Sequence, residues 1–227
     1  MRTATQMNQT IAPSAPFLLL DLGRCDYETV HERQWDLVEK RKREKALDHL
    51  IMVEHPDVYT YGRKIDREKT HLTGYPNEPG VLVERGGGVT FHNPGQLVCY
   101  PVLLLKEGER DVHLFLRKIE NTLMGVLCDF GICGERKMGA TGVWVQNQTR
   151  KIASIGVALS GWVTYHGSAL NVKNDLSGFK RINPCGLSPN VMTSMELELR
   201  GELPTMEEVK RSFLNHFSLH FQRWLMV

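Results

Sequence analysis

The sequence lacks an excess of charge of either sign. Its 227 residues include 28 Lys and Arg against 26 Asp and Glu, which leaves a formal net charge of +2. A protein that binds nucleic acid or an anionic membrane through its overall charge carries a larger excess of Lys and Arg. We therefore expect neither nucleic acid nor a membrane among its partners.

Long hydrophobic runs are also missing. Runs of large apolar residues such as those at 17–20 and 102–105 are four residues long, whereas a membrane-spanning helix needs about 20. Residues 1–16 contain one Arg and no apolar core, so no signal peptide is predicted. We expect a flexible tail at 1–16, a single domain at 17–227 and a cytoplasmic location, with the mitochondrial matrix as the alternative.

No two cysteines have the C-x-x-C spacing of a zinc or redox motif. The chain has five cysteines, and the closest two, Cys128 and Cys133, are separated by four residues. A chain of this length buries roughly 70% of the surface that it exposes when unfolded, so it needs no disulfide framework. The pattern predicts no metal site and a reducing compartment.

Hydrophobic periodicity and turn signals predict both strands and helices. Strands are expected at residues 17–22, 58–61, 81–85, 97–105, 143–146, 152–159, 162–165 and 169–172. Helices are expected at 32–53, from an Asp111 N-cap to about 130, and after a capping box of Thr205 and Glu208. Because the strands are grouped and do not alternate strictly with helices, we predict an α+β fold with a mixed sheet flanked by helices.

A glycine-rich segment follows the strand expected at 81–85. Residues 85–96 read Arg-Gly-Gly-Gly-Val-Thr-Phe-His-Asn-Pro-Gly-Gln. Glycines let the backbone approach a ligand and present N–H groups to an acceptor, while Arg85 adds a cation and His92 a titratable group. The segment is neither a P-loop nor a dinucleotide-binding fingerprint. Its composition favours ligand binding over the alternative of a simple bulge and turn.

Three further segments carry reactive or titratable side chains. Residues 151–156 read Lys-Ile-Ala-Ser-Ile-Gly, residues 166–172 read His-Gly-Ser-Ala-Leu-Asn-Val, and residues 181–186 read Arg-Ile-Asn-Pro-Cys-Gly. Taken singly, Lys151 is typical of a strand-end lysine that extends to solvent, and His166 of a structural histidine. Cys185 lies on a predicted loop and is a candidate nucleophile, although a free thiol is mostly protonated at neutral pH.

In their order and spacing, these four segments together resemble the lipoyl(octanoyl) transferase family, the octanoyl-[acyl carrier protein]:protein N-octanoyltransferases. The resemblance covers roughly residues 17–220. It implies the α+β catalytic domain shared with lipoate and biotin protein ligases. It also implies that octanoate leaves acyl carrier protein, forms a thioester with an enzyme cysteine and ends as an amide on a lipoyl-domain lysine, the first step of endogenous protein lipoylation.

The resemblance assigns roles to individual residues. Cys185 is the implied nucleophile, and Lys151 is its partner, which lowers the pKa of the thiol and helps to move protons. The implied substrate-binding residues are Arg85, Gly86, Gly87, Gly88, Val89, Thr90, Phe91, His92, Ser154, Ile155, Gly156, His166, Gly167, Ser168 and Ala169. Backbone N–H groups near Cys185 or at residues 86–88 are candidate donors to the reaction's oxyanion.

The same resemblance implies the partners and the absence of cofactors. The partners are acyl carrier protein, the lipoyl domains of 2-oxoacid dehydrogenase complexes and the H protein of the glycine cleavage system. No ATP and no metal are expected. One local departure occurs at residues 137–142, Lys-Met-Gly-Ala-Thr-Gly, where the family commonly has an Ala-Pro-Gly type of turn.

Three alternatives compete with this interpretation. An ATP-dependent lipoate or biotin ligase would use the same fold but would activate the acid as an adenylate without a nucleophilic cysteine. A binding module without catalysis would not need Cys185, and a thiol hydrolase would use it with His92 or His166. The Asn-Pro-Cys-Gly setting of Cys185 argues against the ligase.

Overall fold

The computed structural model describes residues 15–43, 46–64, 79–182 and 191–226. These ranges form, in chain order, β1 (Ala15–Arg24), α1 (Tyr27–Lys42), β2 (Asp48–Glu54), β3 (Val58–Tyr61), β4 (Gly80–Leu82), β5 (Val89–His92), β6 (Gln96–Val102), α2 (Val112–Asp129), β7 (Glu135–Lys137), β8 (Ala140–Val145), β9 (Arg150–Ser160), β10 (Val163–Asn171), α3 (Met195–Glu198), α4 (Met206–Phe221) and β11 (Arg223–Leu225). Short 3-10 turns lie at Glu107–Glu109 and Ser177–Arg181.

The main sheet is mixed. Its described strands run in the order β11-β1-β2-β6-β10-β9-β8-β7. Strand β1 is parallel to both of its neighbours, and the remaining pairs are antiparallel. A smaller sheet has the order β4-β3-β5. The α+β class with a mixed sheet is therefore confirmed.

Helices cover both faces of the main sheet. Helices α2 and α4 pack on one face through a core that includes Phe17, Phe115 and Phe217, and the rings of Phe17 and Phe217 meet edge to face at 5.2 Å. Helix α1 covers the other face through Val30 and Val38. A third cluster, with Phe91 and Phe179, joins the small sheet to the 3-10 turn before residue 183.

The predicted helix at 32–53 is wrong in its second half. Helix α1 ends at Lys42, and β2 follows at Asp48. Leu50 and Met52 pack towards α2 and α4, whereas Ile51 and Val53 pack towards α1. A strand buried on both faces reads as a continuous apolar run, which also fits helical spacing.

The two strands predicted at 162–165 and 169–172 form the single strand β10. The predicted break between them contains Gly167, but a Cβ added there would lie 2.1 Å from the carbonyl oxygen of Cys99 on β6. The small residue therefore allows close approach of two strands, not a turn. His166 keeps its pairing with Val157 although its φ is +54°.

Helix termini follow the predicted signals. The Asp111 carboxylate accepts hydrogen bonds from the backbone N–H groups of His113 and Leu114 at 2.8 and 3.0 Å. Thr205 and Glu208 form a reciprocal capping box at the start of α4. Both caps satisfy donors that the first helical turn leaves unpaired.

The predicted tail at 1–16 lies outside the described residues except for Ala15 and Pro16. These two residues are in β1 and pair with Arg223 and Trp224 of β11, so the first strand includes two residues of the predicted tail. Within the described ranges, no helix has the length and hydropathy that a membrane crossing requires.

Candidate active site

The predicted substrate-binding segments of β9 and β10 lie side by side. Gly167 pairs with Gly156, Ser168 with Ile155, and Ala169 with Ser154 in the antiparallel register. Both strands belong to the main sheet. The candidate residues therefore form one site only if the glycine-rich segment also reaches these two strands.

The glycine-rich segment does reach this framework. The Gly86 N–H donates a hydrogen bond to the Val157 carbonyl at 2.9 Å. A Cβ on Gly156 would lie 2.9 Å from the Gly86 oxygen, so a side chain at 156 would push the segment away from β9. Because the Gly86 N–H is already bonded, this donor is not available to an oxyanion, contrary to the expectation for that one residue.

Arg85 is buried and fixed by the small sheet. Its Nη2 donates to the carbonyl and the hydroxyl of Thr60 at 2.6 and 2.9 Å, and its Nη1 donates to the Gly86 carbonyl at 3.1 Å. Gly62 lies against the same group, because a Cβ there would be 2.9 Å from Arg85 Nη1. These contacts give the guanidinium a fixed position next to the glycines.

A cluster of buried histidines and tyrosines lies beside the glycine-rich segment. The His92 Nδ1–H donates to Gln96 Oε1 at 2.7 Å, and the His166 ring approaches the Tyr27 hydroxyl with its Nδ1 at 3.5 Å. His55 Nδ1–H donates to the Cys25 carbonyl at 2.7 Å, and its Nε2 accepts from the Tyr100 hydroxyl at 2.9 Å.

Burial keeps these histidines uncharged. Removal from water disfavours the imidazolium form and lowers the pKa of His92 to about 3, and it lowers the pKa of both His55 and His166 to about 4. Burial also raises the pKa of Tyr27 and Tyr100. At neutral pH the cluster is therefore a neutral hydrogen-bonding surface, not a set of general acids.

Lys151 is buried at the start of β9, with 6% of its surface exposed. Its Nζ lies 5.6 Å from the centroid of the Trp144 ring, a cation–π distance. Gly142 lies against the lysine on another side, since a Cβ there would be 2.6 Å from Lys151 Cε. The expected strand-end lysine exposed to solvent is thus replaced by an enclosed ammonium group.

Cys185 and its neighbours at 183–190 lie outside the described residues, so its role stays a prediction. The chain that follows this segment returns beside Lys151, because the Thr193 N–H donates to the Lys151 carbonyl at 2.9 Å and Met192 forms a parallel bridge with Lys151. On the preceding side, Ile182 and Met192 share one buried cluster. Lys151 therefore contacts the chain within seven residues of Cys185 in sequence.

Other predicted substrate-binding residues have structural partners in the small sheet. Val89 and Thr90 pair with Tyr61 and Thr60. Phe91 faces the opposite way from His92 and lines an open cavity of about 360 Å³ together with Tyr59, Asn93, Asp175 and Arg181. The glycine-rich segment turns at Gly87, whose φ of +87° lies in the region that favours glycine. This turn separates Arg85 and Gly86 from the strand that begins at Val89.

Sequence reasoning missed Tyr27, His55 and Tyr100. They come from α1, the end of β2 and β6, and they complete the cluster around His92 and His166. The sequence does contain a signal for His55, because this titratable residue lies in a Glu-His-Pro segment directly after the apolar run at 50–53. Tyr27 and Tyr100 carried no comparable signal, since each reads as an ordinary amphipathic or core residue.

Comparisons with known proteins agree with this architecture. The lipoyl protein ligase A/B catalytic domain family matches residues 26–218. An octanoyltransferase of Solibacter usitatus is 45% identical over 208 residues, covering 89% of this chain and 92% of the relative. An octanoyltransferase of Chloroflexus aggregans is 45% identical over 195 residues, which cover 83% of this chain and 87% of the relative.

A solved bipartite lipoate protein ligase from Thermoplasma acidophilum superposes with a TM-score of 0.68 at 15% identity, covering 94% of this chain and 86% of that chain. At this identity the likeness shows the fold alone, and it confirms the expected ligase-type catalytic domain. The family match and the two relatives extend over most of the sequence. The chain therefore belongs to the lipoyl protein ligase A/B catalytic domain family and, within it, to the octanoyltransferases.

Proposed function

We propose that this acyltransferase takes octanoate from octanoyl-acyl carrier protein, holds it as a thioester on Cys185 and delivers it to a lysine of lipoyl domains. The proposed acceptors are the lipoyl domains of 2-oxoacid dehydrogenase complexes and the H protein of the glycine cleavage system. Neither ATP nor a metal takes part in the proposed reaction.

The observation that carries the proposal is the placement of Lys151. Its ammonium group is enclosed between Gly142 and Trp144, and its backbone is bonded to the chain that follows the segment with Cys185. A cation near a thiol favours the thiolate, which is the nucleophilic form. The pairing of residues 154–156 with 167–169, next to the glycine-rich segment, supplies a surface for the acyl donor.

Two transfers complete the proposed cycle. In the first, the Cys185 thiolate attacks the thioester carbonyl, the bond from Cys185 sulfur to the acyl carbon forms, and the bond to the pantetheine sulfur breaks. The leaving pantetheine thiolate takes a proton from the Lys151 ammonium group, which becomes neutral; the exchange of one thioester for another is nearly isoenergetic. In the second, the acceptor lysine's amine attacks the acyl-enzyme, an amide forms, and the Cys185 thiolate is released. The proton that the amine loses passes to Lys151 in its neutral form.

The test of the first transfer is the intact mass of the protein after incubation with octanoyl-acyl carrier protein without ATP. We expect a gain of one octanoyl group that hydroxylamine removes and that Cys185→Ala does not show. Acylation of a lipoyl domain that requires ATP, with no thioester on the enzyme, would instead indicate ligase chemistry. Release of free octanoate without an amide would indicate a hydrolase.

The role of Lys151 has a matched control in Lys137. Both lysines face the Trp144 ring, Lys137 Nζ at 4.4 Å and Lys151 Nζ at 5.6 Å. We expect Lys151→Ala to slow both transfers by about 10²-fold or more and Lys137→Ala to leave them nearly unchanged. Equal activity of the Lys151→Ala variant and the parent would remove Lys151 from the mechanism.

A further inference from the structure

Three potential metal ligands from three separate elements meet next to the glycine-rich segment. His31 lies on α1, Glu84 directly precedes Arg85, and His166 lies on β10. Their ligand atoms all lie within 4.8 Å of one another. His31 Nε2 is 3.1 Å and His166 Nε2 is 3.5 Å from Glu84 Oε2.

The buried member of this cluster is incompletely satisfied. His166 is 1% exposed, and within the ranges that the structure describes its Nε2 makes no well-formed hydrogen bond, since the nearest acceptor, Glu84 Oε2, lies 3.5 Å away. A buried polar atom without a partner costs free energy. Because the Nε2 atom is directed at the shared carboxylate, a ligand held by that carboxylate could bind both atoms.

The chemical types of these three side chains suit a cation. Two imidazoles and one carboxylate form a ligand set that zinc and similar ions use.

The distances also fit a four-coordinate ion. Bonds of about 2.0–2.1 Å in a tetrahedron place neighbouring ligand atoms about 3.3 Å apart. The two distances to Glu84 lie on either side of this value. His31 and Glu84 are partly exposed, with 24% and 44% of their side-chain surfaces accessible, so an ion can enter from solvent. The rings of His31 and His166 are stacked, with centroids 5.4 Å apart and an interplanar angle of 17°, so the exposed His31 ring must turn for both nitrogens to face one ion.

We propose that His31, Glu84 and His166 form a binding site for one divalent transition-metal ion of the zinc type. The fourth coordination position is open to water. The proposed metal site borders the acyl-transfer site, because Glu84 adjoins Arg85 and His166 is among the implied substrate-binding residues. The ion takes no part in the transfer, and its binding is measured independently of the transfer. The metal site gives His31, which the transfer reaction does not use, a role as a ligand.

The test is calorimetric titration of the full chain with ZnCl₂ near neutral pH, in a Cys185→Ser background so that this thiol does not bind the ion. We expect one ion per chain with a binding isotherm that His31→Ala weakens at least about tenfold, because one of three protein ligands is lost. Glu84→Gln removes the anionic ligand with little change of shape and should weaken binding similarly. A Co²⁺ spectrum of the parent should show nitrogen and oxygen ligands without thiolate charge transfer.

The matched control is His113→Ala, which removes an exposed histidine on α2 and should bind Zn²⁺ as the parent does. Thermal unfolding in the presence and absence of Zn²⁺ adds a second measurement, because an ion bound only to the native state raises Tm. Parent protein without Zn²⁺ binding would overturn the site. Equal affinities of the parent and His31→Ala would do the same, as would a Co²⁺ spectrum dominated by thiolate.

Discussion

Lys151 is held by an aromatic ring, by close packing and by a backbone hydrogen bond. The Trp144 ring faces its ammonium group, Gly142 packs against its Cε and Nζ, and Thr193 bonds its backbone carbonyl. A lysine side chain in solution samples many rotamers, and enclosing it costs conformational entropy. The surrounding residues therefore determine where its nitrogen lies, and changes to them should affect transfer without touching the lysine.

Gly142→Ala should displace Lys151. The added Cβ would lie 2.6 Å from Lys151 Cε and 2.5 Å from the Ala153 carbonyl oxygen, at a φ of +130°. We expect a loss of stability of about 1–3 kcal/mol from strain and a fall of at least about tenfold in acyl transfer. Chemical unfolding and the rate of acyl-enzyme formation measure the two effects separately.

Gly139→Ala is the control for backbone strain alone. Gly139 has a φ of +74°, but a Cβ there meets nothing within 4 Å. This variant should lose about 1 kcal/mol of stability and keep its transfer rate. If both variants lost transfer equally, the effect would come from the β7–β8 turn and not from displacement of the lysine.

Individual site residues were predictable from the sequence to different degrees. Lys151 and His166 were singled out because each stands at the head of a distinctive short motif, and the motifs in register indicated the family. Tyr27 and His55 were not, because their roles arise only when α1 and the end of β2 meet β5 and β10. Contacts between residues this far apart have no local pattern in the sequence.

Among the secondary-structure elements, those with one buried face and clear end signals were predicted well. Helix α2 begins at the predicted Asp111 cap. Helix α4 begins at the predicted capping box and buries Val209, Phe213, Phe217 and Phe221 in the core. Strand β2 was taken for helix because both of its faces are buried. Its environment depends on the neighbouring strands β1 and β6, which the local sequence does not reveal.

The Asp111 cap makes a measurable contribution to α2. Asp111→Ala removes the acceptor for the backbone N–H groups of His113 and Leu114, and we expect a loss of about 1 kcal/mol in the free energy of unfolding. Asp111→Asn keeps an oxygen acceptor and should lose much less. Octanoyl transfer should be unchanged in both, because α2 lies on the face opposite α1. A full loss in the Asn variant would show that the carboxylate charge, and not the cap, stabilises the helix.

Across the whole molecule, three histidines from distant parts of the sequence are buried in one cluster beside the glycine-rich segment. His55 follows β2 directly, His92 ends β5 and His166 lies in β10, and each has a lowered pKa. Because the rings are neutral, they lie close together without charge repulsion. The arrangement links the stability of the entire fold to pH, because unfolding exposes all three rings to water at once.

Stability should therefore fall as the pH drops below about 6.5. An exposed histidine has a pKa of about 6.5, whereas these three titrate at about 3 to 4 in the folded protein. Between those values the unfolded chain binds more protons than the native chain, so the free energy of unfolding decreases with falling pH by up to about 1.4 kcal/mol per pH unit for each histidine. Above about pH 8 neither state carries these protons, and the three rings contribute almost no slope.

Urea unfolding at about pH 7, 6 and 5 measures this slope. The His113→Ala variant should follow the parent, because that histidine is exposed in the native protein. NMR titration of the ring protons provides the direct test: the His55, His92 and His166 signals should not shift between about pH 7 and pH 5 while the native fold persists. A buried ring that titrated near pH 6.5 would contradict the expected linkage, because protonation would then cost the native state nothing.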